Sequence, residues 1–204
     1  GSGKTYTMMG ADIQDDHTRG IIPRLTDQVF QGILHSPPTI EYTVKVSFME
    51  IYMEKIRDLL APDRINLPIQ EDKSKGVRVK GLSEHYMSSP DEVYDVIRRG
   101  TGVRVVSATR MNAESSRSHT IFTFTVQQRN TETGATKSGC LYLVDLAGSE
   151  KVDKTGASGQ TLEEAKKINR SLSALGMVIN ALTDGKSAHV PYRDSKLTRI
   201  LQES

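Results

Sequence analysis

Apolar and polar residues alternate along residues 40–49, so that every second side chain is apolar. This period of two predicts a β-strand with one buried face, because successive strand side chains point to opposite sides of a sheet. Residues 120–128 repeat the alternation. Residues 140–144 form a short continuous apolar run that is typical of a strand covered on both faces. Cys140, at the start of that run, is predicted to be a small core residue.

Helical periodicity appears between and after these strands. Residues 161–182 carry an apolar side chain at every third or fourth position, which predicts a long amphipathic helix. A further helix is predicted from Pro23, and another near the end of the chain after a cap at Asp194 or Ser195. Since strands and helices alternate along the chain, we expect an α/β fold. Its central sheet should be mostly parallel or mixed, with helices on both faces.

One predicted helix has clear start and stop signals. Ser89 and Glu92 form a capping box, and Pro90 occupies the first helical position, where its missing N–H costs nothing. Gly100 follows the apolar positions of this segment and is predicted to end the helix. The intervening loops are predicted at residues 10–20, 62–82, 107–119, 130–138, 148–160 and 184–193.

Composition narrows the possible classes of protein. The 204 residues carry 27 Lys and Arg against 25 Asp and Glu, a net charge of +2 that is too balanced for a general nucleic-acid binder. The single cysteine excludes a disulfide within the chain and a zinc site made only of cysteines. No apolar run approaches the roughly 18 residues of a membrane-spanning helix, so we expect no membrane contact.

The chain opens on Gly1-Ser2-Gly3-Lys4-Thr5, the second half of a phosphate-binding loop. In such a loop the glycines let backbone N–H groups surround phosphate oxygens. The lysine meets the β- and γ-phosphates, and the hydroxyl binds Mg²⁺. A Gly/Ser cloning remnant before an ordinary lysine is the alternative. The first glycine of the pattern would precede Gly1, and the last residues, 201–204, read as the interior of a helix. We therefore expect the chain to be part of a longer protein, incomplete at both ends.

Two further segments fit a nucleotide switch. Residues 145–150 place Asp145 directly after an apolar strand and Gly148 three positions later, an arrangement that suits Mg²⁺ and a γ-phosphate. Taken alone, an ordinary strand-to-loop turn is the better explanation, since Asp and Gly are common in such turns. Residues 112–119 concentrate hydroxyl and amide side chains with Arg117 and His119 in one loop. The three segments together, in this order, predict loops that close around a triphosphate.

These segments resemble the motor domain of kinesins over the whole length of the chain. Residues 112–119 match the family's switch I pattern, and residues 145–150 match switch II. The sequence of residues 44–60 is most similar to that of conventional kinesin heavy chains. Met53 departs from the asparagine that many kinesins carry there. Other matching signatures are Gly20-Ile21-Ile22-Pro23-Arg24, Glu50-Ile51-Tyr52, Asp58-Leu59-Leu60, Asn169-Arg170-Ser171-Leu172 and residues 189–198.

The resemblance implies a P-loop NTPase fold that binds ATP and Mg²⁺. It implies Mg²⁺ contacts from Thr5, Ser116 and, through water, Asp145. Nucleotide contacts are implied for Gly1, Ser2, Gly3, Lys4, Thr5 and Tyr6. Ser115 would lie near the attacking water, Gly148 would sense the γ-phosphate, and Arg117 and Glu150 would form an ion pair joining the two switches. His119 is assigned a structural role.

The resemblance also implies a microtubule partner. The expected tubulin contacts are Lys186, His189, Tyr192, Arg193, Lys196 and Arg199, and the helix at residues 161–182 would relay switch movement. A solvated basic face is the simpler explanation for these residues. The full-length protein would be a cytoplasmic, microtubule-associated motor that dimerises through other segments.

Two other functions remain open on the sequence. A regulatory GTPase would share Asp-x-x-Gly, but the guanine-recognition tetrapeptide Asn-Lys-x-Asp does not occur. A kinesin-like module could also grip microtubules without hydrolysing ATP. The intact set of switch residues favours a motor over such a module.

Overall fold

A computed structural model describes residues 3–72, 76–110, 117–148, 160–187 and 189–204. The helices are α1 Lys4–Met9, α2 Ile21–Leu34, α3 Pro90–Arg110, α4 Gln160–Thr183 and α5 Lys196–Ile200. The strands are β1 Ile40–Tyr52, β2 Lys55–Asp58, β3 Ile69–Asp72, β4 Gly76–Val79, β5 His85–Met87, β6 His119–Asn130 and β7 Thr136–Asp145. Short 3₁₀ turns lie at Tyr192–Asp194 and Leu201–Glu203. In the part of the chain that is described, no helix has the length and apolar character needed to span a bilayer.

The central sheet has the strand order β2-β1-β6-β7, and β5 also pairs with β1. Every pairing among the described strands is antiparallel, whereas the alternation of strands and helices predicted a mostly parallel or mixed sheet. The turn between β6 and β7 explains part of this difference. Gly134 takes a left-handed φ of 70° and donates its N–H to the Asn130 carbonyl. A connection this tight can only join antiparallel neighbours.

Helices cover both faces of the sheet, as expected. On one face, α2 and α3 pack over the aromatic and branched residues of β1 and β6. Phe48 and Phe122 lie opposite each other in the register, with ring centroids 5.5 Å apart in an edge-to-face contact. The buried members of this core are Ile22, Val44, Val46, Phe48, Leu59, Val93, Tyr94, Val96, Ile97, Phe122, Phe124 and Leu143.

A second core lies on the opposite face and includes Leu197 and Ile200 of α5. Its other buried members are Met49, Ile51, Ile56, Leu67 and Ile121. The second half of β1 is therefore buried on both faces, although its alternation predicted a single buried face. Alternation misled here because Met49, on the nominally polar side, is itself apolar and meets this second core.

Helix α3 begins where the capping box predicted. The Ser89 hydroxyl accepts the N–H of Glu92, and the Glu92 carboxylate accepts the N–H and hydroxyl of Ser88. The predicted end at Gly100 is wrong, because the helix continues to Arg110. A Cβ added at Gly100 would lie 2.3 Å from Cδ1 of Phe48. This glycine therefore permits close packing of helix on strand and does not terminate the helix.

Two other expectations are wrong in detail. The predicted loop at residues 62–82 contains the β3–β4 hairpin, a small separate sheet. Cys140 is exposed and is not a core residue. It lies in the first half of β7, the edge strand among those described, where residues 136–141 are all exposed.

The turn between β1 and β2 involves the residue at which the sequence departs from the kinesin pattern. Met53 and Glu54 have φ values of 50° and 60°. Two successive left-handed residues form the hairpin turn that suits the twist of the strands, and asparagine or glycine adopts it most easily. The turn therefore forms here with two residues that do not favour it.

Candidate functional site

The phosphate-loop segment enters α1 through Gly3, whose φ of 77° lies in the left-handed region that glycine adopts without strain. Two more glycines fix the other end of this helix. A Cβ on Gly10 would lie 2.2 Å from the Thr18 carbonyl oxygen, and one on Gly20 would lie 2.5 Å from the Met8 carbonyl carbon. The backbones therefore approach as closely as glycine allows, which holds α1 against the start of α2.

Thr5 and Asp145 meet across the chain. The Thr5 hydroxyl donates a hydrogen bond of 2.6 Å to Oδ2 of Asp145, although 140 residues separate them. Asp145 ends β7 and is buried, with 4% of its surface exposed. The structure thus joins the hydroxyl of the phosphate-loop segment to the strand-end carboxylate, two groups that the sequence motifs predicted separately.

Arg104 of α3 also contacts Asp145. Its Nη1 is 3.4 Å from Oδ2 of Asp145, and its Nη2 donates to the carbonyl and hydroxyl oxygens of Ser118 at 3.4 Å. The arginine is buried, so its charge is balanced by carboxylates and not by water. One cation therefore connects helix α3, the start of β6 and the end of β7.

Glu50 of β1 extends the buried network. It forms an ion pair with Arg57 of β2, and its Oε1 lies 3.8 Å from Nε of Arg104. The sequence pattern alone gave no roles to Arg104, Arg57 and Glu50. The sequence did contain an indication, because Glu50 lies two residues after Phe48 and so points to the same buried face of β1. A charge at a core position needs a charged or hydrogen-bonding partner.

His119 forms a second buried junction beside the first. Its Nδ1 accepts the backbone N–H of Ala147 at 3.0 Å, and its Nε2 lies 2.7 Å from the hydroxyl oxygen of Ser171 in α4. Burial lowers the pKa of His119 to about 4, and the Arg104 guanidinium adds to this effect while the Asp145 carboxylate opposes it. The ring is therefore neutral at physiological pH.

Among the other predicted site residues, Lys4 and Tyr6 are exposed and Gly148 is buried. Arg117 borders a small cavity, together with His119 and Ser171. Gly1, Ser2, Ser115, Ser116 and Glu150 lie outside the described residues. The Arg117–Glu150 ion pair therefore remains a prediction.

The predicted microtubule-binding residues occupy one continuous segment, but acidic residues from elsewhere in the chain accompany them. Oε2 of Glu71 in β3 accepts a hydrogen bond from Nη2 of Arg193 at 3.0 Å, and it lies 3.6 Å from Nη2 of Arg199. The carboxylate of Glu54 accepts the backbone N–H of Lys196 at 2.8 Å and so caps α5. These carboxylates offset part of the positive charge that the basic residues of this segment give its surface.

The remaining predicted microtubule contacts differ in exposure. Lys186 and His189 are exposed, and Tyr192 is half-buried in the 3₁₀ turn. The N-cap residue of α5 is Ser195, one of the two predicted positions, and the Glu54 carboxylate adds a second cap contact. Oγ of Ser195 accepts the N–H of Thr198 at 3.1 Å.

The Asp145 site also has an unsatisfied acceptor. Oδ1 of Asp145 is buried and has no hydrogen-bond partner among the described atoms. Buried carboxylate oxygens are normally paired, so this atom is suited to a donor or a cation. Carboxylate and hydroxyl oxygens are the ligands that Mg²⁺ prefers.

Known proteins match this chain over its whole length. The family model of the kinesin motor domain matches residues 1–204. The kinesin heavy chain of Syncephalastrum racemosum is 74% identical over 204 residues, and that of Gibberella moniliformis is 72% identical over the same length. The alignments cover all of this chain but 22% of each of those proteins, so the chain spans about a fifth of these relatives.

Solved structures give the same result at the level of the fold. A structure of a fast kinesin, 71% identical, superposes with a TM-score of 0.94 over all of this chain and 58% of its own. A KIF14 dimer bound to AMP-PNP and a microtubule, 39% identical, superposes with a TM-score of 0.87 over all of this chain and 59% of its own. The architecture is that of the P-loop NTPases. Since family model, relatives and solved structures all match the full chain, this protein belongs to the kinesin motor domain family.

Proposed function

We propose that this chain is the nucleotide-hydrolysing part of a microtubule-dependent motor that uses ATP and Mg²⁺. The observation that carries the proposal is the 2.6 Å hydrogen bond between Thr5 and Asp145. It supports a common role for the phosphate-loop segment and switch II at one triphosphate. The kinship with kinesin heavy chains and with a KIF14 motor bound to AMP-PNP and a microtubule points the same way.

Thr5, Ser116 and Asp145 would hold the metal, Asp145 through a water molecule. Its unpaired Oδ1 and the adjacent Thr5 hydroxyl fit such a site. When bound, Mg²⁺ would neutralise charge on the β- and γ-phosphates during transfer. Arg104 lies against the same carboxylate at 3.4 Å and would keep it oriented toward Thr5.

The remaining roles belong to the chain's own side chains and backbone. Lys4, exposed at the start of α1, would meet the phosphates. The Gly148 N–H would sense the γ-phosphate, because glycine leaves room for the close approach of its backbone. An Arg117–Glu150 ion pair would form only when both switches approach the phosphate. Its bidentate geometry would then fix both loops and orient the attacking water near Ser115.

The surface formed by residues 186–199 would meet the acidic face of tubulin. Charge contacts of this kind mainly raise the association rate and weaken with salt. In the full-length protein, Lys196→Ala should therefore weaken microtubule binding more at low than at high ionic strength. Equal affinity at low salt would exclude this segment. The protein would act on the microtubule cytoskeleton, and its dimerisation would come from segments beyond this chain.

Steady-state hydrolysis by the full-length protein tests the central proposal. We expect ATP turnover that microtubules stimulate. Asp145→Asn should reduce it by about 10- to 100-fold, because a group that orients a metal typically contributes that much. Asp95→Asn on the exposed surface of α3 is the matched control and should retain wild-type turnover. Equal turnover in Asp145→Asn and wild type would refute the proposed site.

The same assay separates the two other functions. Preference for GTP over ATP would indicate a regulatory GTPase. Microtubule binding without stimulated turnover would indicate a non-motor binding module. Loss of stimulation in Glu150→Ala would support the switch ion pair, and normal stimulation would contradict it.

A further inference from the structure

We infer that His119 is a positioning residue that mechanically links the segment after β7 to helix α4. Two of its hydrogen bonds reach parts of the chain far apart in sequence: Ala147 is 28 residues away and Ser171 is 52 residues away. Ala147 precedes residues 149–159, and Ser171 follows them. His119 therefore bridges the two flanks of that stretch directly, through its side chain.

The direction of each hydrogen bond follows from the donors available. The backbone N–H of Ala147 can only donate, so Nδ1 of His119 must be the acceptor. Since the ring is neutral, its proton lies on Nε2, which donates to the Ser171 hydroxyl oxygen at 2.7 Å. That hydroxyl then donates to the Ile168 carbonyl at 2.7 Å, within α4.

The three bonds form a chain in which every donor has one acceptor. All members are buried: Ala147 is 3% exposed, His119 3% and Ser171 2%. Water therefore cannot easily replace any bond that breaks, and loss of one bond leaves an unsatisfied buried group. A displacement of the backbone at Ala147 is resisted unless the helix at Ser171 moves with it.

The buried network around Asp145 holds the residues on either side of the hydrogen-bond chain through His119. His119 begins β6, pairs in register with Ile51 of β1, and follows Ser118, which Arg104 contacts. Arg104 also contacts Asp145, two residues before Ala147. A shift at the strand-end carboxylate thus reaches Ala147 through a short stretch of backbone and α4 through His119.

This inference rests on the proposed function, because it assigns to His119 the coupling between the nucleotide site and the helix that would move on the microtubule. It predicts a separation of effects in the full-length protein. Ser171→Ala removes the acceptor of Nε2 while keeping a strong helix former in α4. We expect basal turnover and the KM for ATP to stay within about twofold. Microtubule stimulation of kcat should fall about tenfold, the factor that one buried hydrogen bond supplies.

Ser173→Ala is the matched control, because Ser173 is an exposed residue on the same helix. His119→Asn provides a second variant. Asparagine retains an acceptor near the Nδ1 position for Ala147 but is too short to reach Ser171. It should lose microtubule stimulation as Ser171→Ala does.

Hydrogen exchange of the same full-length proteins gives a readout that does not require activity. The Ala147 amide should exchange about tenfold faster in Ser171→Ala than in wild type or Ser173→Ala. The inference would be overturned if microtubule stimulation of kcat were unchanged in Ser171→Ala. It would also be overturned if the exchange rate of the Ala147 amide were unchanged in that variant. A wild-type protein without microtubule-stimulated turnover would instead refute the proposed function, and the exchange result would still decide whether His119 forms the link.

Discussion

Two glycines of α3, two residues apart, are predicted to respond in opposite directions to the same substitution. At Gly102 an added Cβ meets no atom within 4 Å, so Gly102→Ala only removes the entropic cost of glycine in a helix. We expect stabilisation by about 0.5–1 kcal/mol. The substitution adds one methyl group at an exposed helical position and alters no contact.

At Gly100 the same methyl group would lie 2.3 Å from Cδ1 and 2.7 Å from Cε1 of Phe48. The ring cannot turn away easily, because Phe48 is 1% exposed and packs edge-to-face on Phe122. Overpacking of this kind costs about 1–3 kcal/mol, and the severity of the overlap places it at the upper end. After the gain in helix propensity, Gly100→Ala should destabilise by about 2 kcal/mol.

Guanidinium denaturation of the complete motor domain measures both values. The two variants should differ by about 3 kcal/mol, which exceeds the uncertainty of the extrapolation. If Gly100→Ala were as stable as Gly102→Ala, the close approach of α3 to β1 would be wrong. The explanation for the uninterrupted helix would then fail as well.

Three further predictions concern the buried groups and the β1–β2 turn. Arg104→Met should lower the free energy of unfolding by about 3–5 kcal/mol, because it leaves buried carboxylates uncompensated. Arg98→Met, which breaks an exposed ion pair on the same helix, should lower it by less than about 1 kcal/mol. Equal losses in denaturation experiments would contradict the buried network. The pKa of His119 is about 4 in the fold against an ordinary 6.5, so the unfolded chain binds more protons between these values and stability falls as pH falls. Relative to His119→Asn, wild type should lose roughly 2 kcal/mol more between pH 7 and pH 5, and parallel pH profiles would refute the assignment. At the turn, Met53→Asn should exceed Met53→Ala in stability by about 0.5–1 kcal/mol, because asparagine tolerates positive φ; the reverse order would count against the turn geometry.

The sequence alone determined the order and type of the main elements. The alternation in residues 40–49, the period of residues 161–182 and the capping box at Ser89 each depend on neighbours in the chain. The strand, the long helix and the capped helix start were confirmed, with changes in length, although the second half of the strand is buried on both faces. The motif residues Thr5 and Asp145 were also selected from sequence, because phosphate and Mg²⁺ chemistry restricts the residue types that can serve.

Only the tertiary structure decided what partners these elements meet. Gly100 looks like a helix stop until Phe48 is placed against it. Cys140 belongs to an apolar run, yet it lies on an exposed edge strand. Glu71 and Arg193 are 122 residues apart, so the charges near either residue in the sequence do not predict their ion pair. Local patterns record the periodicity and cap of an element, whereas burial, charge balance and the links through Arg104 and His119 arise from contacts between distant segments. Such contacts depend on three-dimensional packing, which no window of the sequence contains.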